Sequence, residues 1–400
     1  MLELLAPAGS MSALKSAYLY GADACYIGGG DYSLRHGAVS FDRDAVREAV
    51  GYAHERGKKL HVAINAVVRS GEIEGVSKYA KFLESIGIDA VIVSDPGVFF
   101  AVKNNAPNLP IHISTQANIV NYETASFWYK MGAERVVLAR ELSLEEIKEI
   151  RAKTPKKLEI ETFVHGAMCM SHSGRCLLSN YLTERDANHG ACAQPCRWKY
   201  YIMEEKRPGE YMPIIENDRG TFVFNSKDLC MIEHLPLLAE AGVTSFKIEG
   251  RAKSEYYVAC VVRAYRKAID LYNNGKPFDK ELLREVGKVS HREYTTGFYF
   301  GQPGEIHTYG SYIRTCDVCA VVTGYDERGY LVLEQRNKFS AGDTVEAMTP
   351  GAIEEIKVED MLDGEGNAID STPHAQMKIL LKYPKALPVG SYLRTKECEK

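Results

Sequence analysis

The chain has 400 residues, of which 45% are hydrophobic and 26% are charged, a composition typical of a soluble globular protein with more than one domain. No apolar run approaches the roughly 18 residues that cross a bilayer, and the N-terminus lacks the features of a secretory signal, so the sequence predicts a cytoplasmic protein without a membrane contact. The net charge of −4 excludes a uniformly basic surface, so a nucleic-acid contact would need a local basic patch.

Short apolar runs alternate with amphipathic stretches over residues 1–275. Because the runs lack strict polar alternation, they are typical of strands buried on both faces of a parallel sheet. The runs are Leu2–Ala6, Ala24–Gly28, Lys59–Ala66, Ala90–Ser94, Ile111–Asn118, Arg135–Ala139, Leu158–Val164 and Ser245–Glu249. Helical patterns follow most of them, and eight such units predict an α/β fold of the (β/α)₈ barrel type. A doubly wound open sheet is the alternative.

One unit is unusually long, because about 65 residues separate the seventh strand from the helix that starts near Cys230. This insertion, residues 166–229, contains four cysteines and a predicted hairpin formed by Lys199–Glu204 and Tyr211–Glu216. Long insertions after a barrel strand lie at the C-terminal mouth, where barrels of this type carry out chemistry.

The last quarter of the sequence has a different pattern. Residues 276–310 predict a helical connector with a helix over Asp279–Val289. From residue 311 to residue 400, short strand-like runs are separated by Gly, Asp, Asn and Pro, and this pattern predicts a small C-terminal all-β barrel domain.

The strongest chemical signal is the spacing C-x₆-C-x₁₅-C-x₃-C, formed by Cys169, Cys176, Cys192 and Cys196. Four thiolates within one insertion repel one another unless a cation or cluster neutralises them, so they suit a four-thiolate metal site. The spacing alone fits an iron–sulfur cluster and a zinc ion equally well. The alternative is that the cysteines are small buried side chains without a ligand.

The run from Glu161 to Ser179, E-T-F-V-H-G-A-M-C-M-S-H-S-G-R-C-L-L-S, follows the pattern E-x-F-x-x-G-[SA]-[LIVM]-C-x₄-G-x-C-x-[LIVM]-S. This run resembles peptidase family U32, the collagenase-like peptidases. Four further segments are similar to that family: L-L-A-P-A-G at 4–9, C-A-Q-P-C-R at 192–197, S-K-D-L at 226–229 and K-I-E-G-R at 247–251. The resemblance covers the barrel, and the small β domain is similar to the C-terminal module of the family.

The resemblance implies a 4Fe-4S cluster held by Cys169, Cys176, Cys192 and Cys196. It also implies oxygen-independent 5-hydroxylation of the wobble uridine in the anticodon loop of a tRNA, with prephenate as co-substrate. The alternatives within the family are hydroxylation of rRNA or of a ubiquinone precursor by a cluster-bearing subunit, and proteolysis. The sequence contains neither H-E-x-x-H nor G-x-S-x-G, so the residues themselves do not favour a peptidase. A homo-oligomer and a hetero-oligomer both stay open.

Polar side chains stand at the C-terminal ends of several predicted strands, which converge on one mouth of the barrel. We expect the substrate-binding residues to be Asn65, Asp95, Gln116, Asn118, Arg140, Lys247 and Arg251. Arg140, Lys247 and Arg251 are the candidate anchors for the two carboxylates of prephenate. Glu161, His165 and Glu249 are the candidate catalytic residues, and they and Asp95 are the possible general bases. The alternative is that these charged residues form ion pairs that close the barrel.

A candidate RNA contact follows the last of the four cysteines, where Arg197, Trp198 and Lys199 precede Tyr200 and Tyr201. Aromatic rings beside basic groups suit an unstacked base and its phosphates. A solvated face or a packed hairpin strand explains the same pattern.

Overall fold

The computed structural model describes residues 2–33, 41–169, 178–185, 192–195, 198, 216–217, 220–221, 227–301 and 312–396. Its strands are β1 Glu3–Pro7, β2 Ala24–Gly28, β3 Lys59–Ile64, β4 Ala90–Val93, β5 Ile111–Ile113, β6 Arg135–Val137, β7 Glu159–Ala167, β8 Glu216–Asn217, β9 Gly220–Thr221, β10 Asp228–Cys230, β11 Ser245–Ile248, β12 Tyr294–Thr295, β13 Val318–Tyr325, β14 Tyr330–Gln335, β15 Thr344–Met348, β16 Ile353–Lys357, β17 Met361–Asp363, β18 Ala368–Ile369, β19 Lys378–Lys382 and β20 Tyr392–Thr395. Its α-helices are α1 Met11–Leu19, α2 Arg43–His54, α3 Ile73–Ser85, α4 Pro96–Asn105, α5 Tyr122–Met131, α6 Leu144–Lys153, α7 Leu178–Thr183, α8 Leu235–Glu240, α9 Glu255–Asn273 and α10 Glu281–Gly287.

Eight parallel strands form a closed barrel in the order β1 to β7 followed by β11. The barrel closes because β11 pairs in parallel with both β7 and β1, with Ser245 opposite Glu161 on one side and Glu3 on the other. The predicted (β/α)₈ barrel is therefore confirmed, and the open sheet is excluded.

The sequence specifies the helix starts locally. Asp42 accepts a hydrogen bond from the amide of Ala45 at the start of α2, and Ser143 and Glu146 form a capping box at the start of α6. In the described part of the chain, no helix has both the length and the apolar content needed to cross a bilayer.

The barrel strands are buried on both faces, but by different partners. Alternate residues such as Leu4, Val62 and Phe246 point outward and pack with the helices in the main apolar core. The outward face of each strand is therefore apolar, and this accounts in part for the absence of alternation between polar and apolar residues. Leu5, Tyr26 and Ile92 belong to a separate small cluster inside the barrel. The rest of the interior is occupied largely by polar and charged side chains.

The insertion after β7 returns to the barrel through β10, which runs antiparallel along the end of β7 and carries β12 on its other side. Most of the predicted hairpin lies outside the described residues. Within the described part, β8 pairs with β9 through Glu216 opposite Thr221 and Asn217 opposite Gly220.

The C-terminal domain is an antiparallel half-barrel of eight strands in the order β16, β15, β20, β13, β14, β19, β17 and β18. It has its own apolar core, which includes Leu333, Ile379 and Leu393. Met348 and Tyr392 instead join the core of the barrel, so the two domains share a packed contact. The predicted all-β domain is confirmed.

Candidate active site at the barrel mouth

The four predicted ligands begin directly after β7. Cys169 lies two residues beyond Ala167, the last residue of that strand, and its thiol is free and exposed. Cys192 is also free and exposed, and its Sγ accepts a hydrogen bond of 3.3 Å from the amide of Gln194. Cys176 and Cys196 lie outside the described residues. The thiols of the two described cysteines are therefore accessible from solvent.

The backbone that leads to Cys169 is held by close contacts. Gly166 has a φ of +105°, and a Cβ at this position would lie 2.3 Å from the carbonyl oxygen of Glu249. Only glycine tolerates both the conformation and the approach. The next residue, Ala167, accepts a hydrogen bond of 2.9 Å from Nη1 of Arg140.

Arg140 and Glu249 face each other at the mouth, with Nη2 of Arg140 3.6 Å from Oε2 of Glu249. The Arg140 guanidinium lies 3.9 Å from the centre of the Phe163 ring, and the hydroxyl of Tyr26 lies 3.5 Å from the Glu249 carboxylate. The side chains of Arg140 and Glu249 are 15% and 12% exposed to solvent. This pair is thus partly open to a ligand that enters from solvent.

Arg251 lies on another part of the rim. Its Nη1 donates a hydrogen bond of 2.7 Å to Oγ of Ser33 and lies 3.0 Å from the position that a Cβ on Gly28 would occupy. A Cβ at Gly9 would lie 2.0 Å from the carbonyl oxygen of Arg251, so the loop that follows β1 packs directly on the Arg251 backbone. The segments 4–9 and 247–251, singled out separately in the sequence, meet here.

A cluster of amides and hydroxyls occupies the side of the mouth formed by β3, β4 and β5. Asn65 donates a hydrogen bond of 2.8 Å to Oε1 of Gln116, which also lies 3.3 Å from Oγ of Ser114. Asn118 follows in the left-handed conformation with a φ of +55°, and within the described residues its buried Oδ1 has no hydrogen-bond partner. The structure therefore brings three of the predicted substrate residues to one side of the mouth.

Asp95 is also at a strand end, but its carboxylate has a local role. Its Oδ1 accepts a hydrogen bond of 3.0 Å from the amide of Val98 and so caps α4. One oxygen of this carboxylate is thereby committed to the helix terminus.

His165 is buried at the end of β7, where its ring packs among Tyr257, Tyr265 and Tyr294. The hydroxyl of Tyr265 donates to the carbonyl of Val164 at 2.7 Å, so its 3.3 Å contact with Nδ1 of His165 requires a proton on that nitrogen. Nε2 then carries the lone pair, and it has no hydrogen-bond partner among the described residues. Burial lowers the pKa of His165 to about 3, so the ring is neutral at pH 7.

Glu161 and Lys247 lie deeper in the barrel than the rim residues. The Glu161 carboxylate is fully buried and accepts hydrogen bonds from Nζ of Lys247 at 2.7 Å and Nη1 of Arg135 at 2.9 Å. Burial raises the pKa of Glu161, but the two cations outweigh it and hold that pKa below its ordinary value. Burial lowers the pKa of Lys247, and the Glu161 carboxylate at 2.7 Å opposes part of that shift.

Arg135 extends this network towards the closed end of the barrel, where it also contacts Glu3 and Glu159. His61 and His112 lie in the same interior with their rings 4.8 Å apart. Sequence reasoning missed Arg135, Glu3 and the two histidines. The only available signal was a polar residue at an inward position of an otherwise apolar run.

The aromatic rings inside the mouth, also missed, connect the predicted cations. Nζ of Lys247 lies 4.5 Å from the centre of the Tyr26 ring and 5.4 Å from that of Phe163. Arg140 contacts the same Phe163 ring, and the Arg251 guanidinium lies 5.8 Å from the Tyr26 ring. The three predicted anchors are therefore neighbours, with two aromatic rings between them.

Comparison with known proteins gives matches along most of the chain. A model described as peptidase family U32 matches residues 9–309, and one for the C-terminal domain of that family matches residues 314–394. The tRNA hydroxylation protein P of Escherichia coli is 39% identical over 97% of this chain and 95% of its own length. A tRNA hydroxylation protein of Bacillus subtilis is 40% identical over 98% of this chain and 94% of its own length. The 23S rRNA 5-hydroxycytidine synthase of Escherichia coli is 37% identical over 78% of this chain, but over only 47% of its own length.

Proposed function

The chain belongs to peptidase family U32, and from this premise we propose that it is an RNA-modifying hydroxylase that acts on tRNA. The supporting observation is the likeness to the tRNA hydroxylation proteins, which extends over nearly the whole length of both chains. The rRNA hydroxycytidine synthase is matched over less than half of its length, so an rRNA substrate is less well supported. In finer detail, we propose oxygen-independent 5-hydroxylation of the wobble uridine in the anticodon loop, with prephenate as co-substrate.

We further propose that Cys169, Cys176, Cys192 and Cys196 hold a 4Fe-4S cluster. The described pair fits this proposal, because both thiols are free, exposed and on the insertion that leaves the barrel at its mouth. A zinc ion on the same ligands is the alternative. The cluster, when bound, would supply a Lewis-acidic site next to the substrate pocket.

The residues of the chain itself would bind and orient the small co-substrate. Arg140 presents a partly exposed guanidinium group at the rim, and the guanidinium of Arg251 lies buried beside Ser33. A guanidinium matches a carboxylate in charge and geometry. Lys247 lies between them but is engaged by Glu161, so its contribution is the positive potential of the pocket floor. The rings of Phe163 and Tyr26 occupy the space between these cations.

Among the candidate general bases, the geometry favours Glu249. A base with a pKa of about 3, as His165 has, accepts protons poorly at neutral pH, and its ring is closed off by tyrosines. Glu161 is sealed by two cations inside the barrel. Glu249 alone of the three keeps partial exposure at the mouth, where it could take a proton from a bound substrate.

A peptidase mechanism has less support. In the part of the chain that the structure describes, no histidine is hydrogen-bonded to a serine or cysteine, so no activated nucleophile of that kind is formed.

The test combines metal analysis with nucleoside analysis. The full chain is purified without oxygen and assayed for iron and acid-labile sulfide, and tRNA nucleosides of a deletion strain are compared by mass spectrometry with and without the restored gene. We expect iron and sulfide in the protein and loss of wobble 5-hydroxyuridine derivatives in the deletion strain. Restoration should fail with Cys169→Ser and succeed with Cys316→Ser, a buried thiol of the C-terminal domain. Zinc without sulfide would overturn the cluster, and unchanged nucleosides would overturn the substrate.

A further inference from the structure

The two ends of the cysteine-bearing insertion meet at a buried ion pair that the proposed chemistry does not use. The insertion leaves the barrel after Ala167 and returns at Asp228, and these two residues lie opposite each other in the antiparallel ladder of β7 and β10. Within the described residues, the ladder contains three residue pairs. A ladder this short is marginal by itself, so further contacts must hold the ends together.

Asp228 supplies the first of these contacts. Its carboxylate accepts three hydrogen bonds from Arg292: from the amide at 3.1 Å, from Nε at 3.0 Å and from Nη2 at 2.7 Å. The two side chains are only 3% and 5% exposed. The Asp228 amide donates to the carbonyl of Glu293 at 3.0 Å, and the Lys227 ammonium contacts the Glu293 carboxylate at 2.7 Å. The returning chain is therefore fixed to the segment that contains β12.

The hydroxyl of Tyr265 supplies the second contact, at the other end of the ladder. It donates to the carbonyl of Val164 on β7 and accepts from the amide of Met231, which follows β10. The Met231 amide also lies 2.9 Å from the same Val164 carbonyl. One side chain of α9 thus joins the outgoing and returning strands.

We propose that Asp228 and Arg292, with Tyr265, form a latch that positions the outgoing strand and thereby Cys169. The inference rests on the proposed function where it concerns the cluster. A buried, three-bonded ion pair is costly to form and is strongly destabilised when one partner is removed, so it holds a single geometry. The ion pair holds the returning end, Tyr265 joins that end to the outgoing strand, and Arg140 holds the carbonyl of Ala167. The residues of the latch are positioning residues, because they act by holding the backbone of β7 and β10 in place.

The chain offers a matched control. Glu285 and Arg394 form a second buried bidentate pair, with both N–O distances 2.8 Å and side chains 5% and 0% exposed. This pair lies at the contact between α10 and the C-terminal domain. Glu285→Gln therefore disturbs a similar pair away from the insertion.

The experiment compares the wild type, Arg292→Lys, Asp228→Asn and Glu285→Gln as full chains reconstituted with iron and sulfide. Arg292→Lys keeps the charge but loses the planar fork, so it is the variant expected to fold if Asp228→Asn does not. The readouts are amide hydrogen exchange at Met231 and along β7, the rate at which a chelator removes iron, and the melting temperature. We expect both latch variants to exchange the Met231 amide at least about tenfold faster than the wild type and to release iron several-fold faster.

Glu285→Gln should lower the melting temperature while leaving Met231 exchange and iron release at wild-type values. The latch is overturned if its variants exchange like the wild type at Met231, or if Glu285→Gln releases iron as fast as Arg292→Lys. A wild type that holds no iron would refute the proposed cluster but not the latch, because hydrogen exchange still tests the latch without metal.

Discussion

The two ends of the barrel are built from the same strands but hold their charges in different ways. At the closed end, Arg135 contacts three carboxylates, and its side chain is only 4% exposed. At the mouth, Arg140 has one carboxylate partner among the described residues, Glu249 at 3.6 Å, and its side chain is 15% exposed. Tight, complete pairing seals one end, whereas loose pairing leaves the other able to exchange its partner for a ligand.

The difference indicates which charges stabilise the fold and which are available for chemistry. Burying a charge is tolerated only when its partners satisfy it, and a satisfied charge cannot bind anything else. Glu161 was predicted as a general base and Lys247 as an anchor at a strand end, but Glu161 pairs with both Lys247 and Arg135. The side chains of Arg140 and Glu249, in contrast, are partly exposed to solvent.

The largest effect is expected at the closed end, from Arg135→Met. The substitution leaves Glu3 and Glu161 without their shared cation, so the free energy of unfolding should fall by about 3–5 kcal/mol. Urea unfolding followed by circular dichroism measures this. Arg56→Met, at an exposed pair with Glu55, should change it by less than about 1 kcal/mol. A loss of the same size in both variants would show that the buried network of Arg135 stabilises the fold no more than an exposed ion pair does.

The next largest effect should come from lowering the pH, which should destabilise the folded protein through His61. Burial lowers the pKa of His61 from 6.5 to about 4, so between these pH values the unfolded chain binds a proton that the folded chain does not. The free energy of unfolding therefore falls with falling pH, by up to about 1.4 kcal/mol per pH unit for this residue. His61→Gln should reduce the slope of stability against pH between 6.5 and 4. An unchanged slope in the variant would contradict the assignment.

Below about pH 4.5, protonation of the carboxylates should account for further loss of stability. Burial raises the pKa of Glu3, but Arg135 outweighs it and brings that pKa down to about 2 from its ordinary value of 4.5. Stability contributed by Glu3 is therefore present above pH 4.5 and lost as the pH falls towards 2. Comparing Glu3→Gln with the wild type below pH 4.5 separates this loss from that of His61.

An intermediate effect is expected at the mouth from Gly166→Ala. The new Cβ would meet the carbonyl oxygen of Glu249 at 2.3 Å and would sit at a φ of +105°, which should cost about 1–3 kcal/mol of unfolding free energy. Gly57→Ala has a φ of +63° but nothing within 4 Å of the new Cβ, so it separates the backbone cost from the clash. Tm measurements on both variants, with tRNA nucleoside analysis, should show a larger loss for Gly166→Ala in each. Equal losses in the two variants would mean that a small backbone shift removes the clash with the Glu249 carbonyl at little cost in free energy.

The smallest effect on stability should come from Arg140→Lys. The Arg140–Glu249 pair is partly exposed, so the free energy of unfolding should change by less than about 1 kcal/mol. Lysine keeps the charge, but it cannot at the same time donate to Ala167, face Glu249 and stack on Phe163. The level of modified uridine in a complemented deletion strain should therefore fall strongly. Full modification with Arg140→Lys would remove Arg140 from the proposed anchors.

The sequence by itself determined the barrel, the C-terminal β domain and the place of the cysteine insertion. These features depend on local signals: apolar runs of strand length, helix caps such as Ser143 with Glu146, and a cysteine spacing within one segment. The rim residues Asn65, Gln116 and Arg140 were also predictable, because parallel strands of one barrel end at the same mouth.

Only the tertiary structure decided which charges are paired and which are open. Glu161 meets Lys247 because barrel closure places β11 beside β7, although 86 positions separate the two residues in the chain. The ring of His165 packs among tyrosines where the register of β7 and β11 shifts beyond Lys247, and no spacing in the sequence signals such an irregularity. Likewise Asp228 finds Arg292 only after the insertion has returned to the barrel. Long-range partners of this kind depend on strand register and closure, which local residue patterns do not encode.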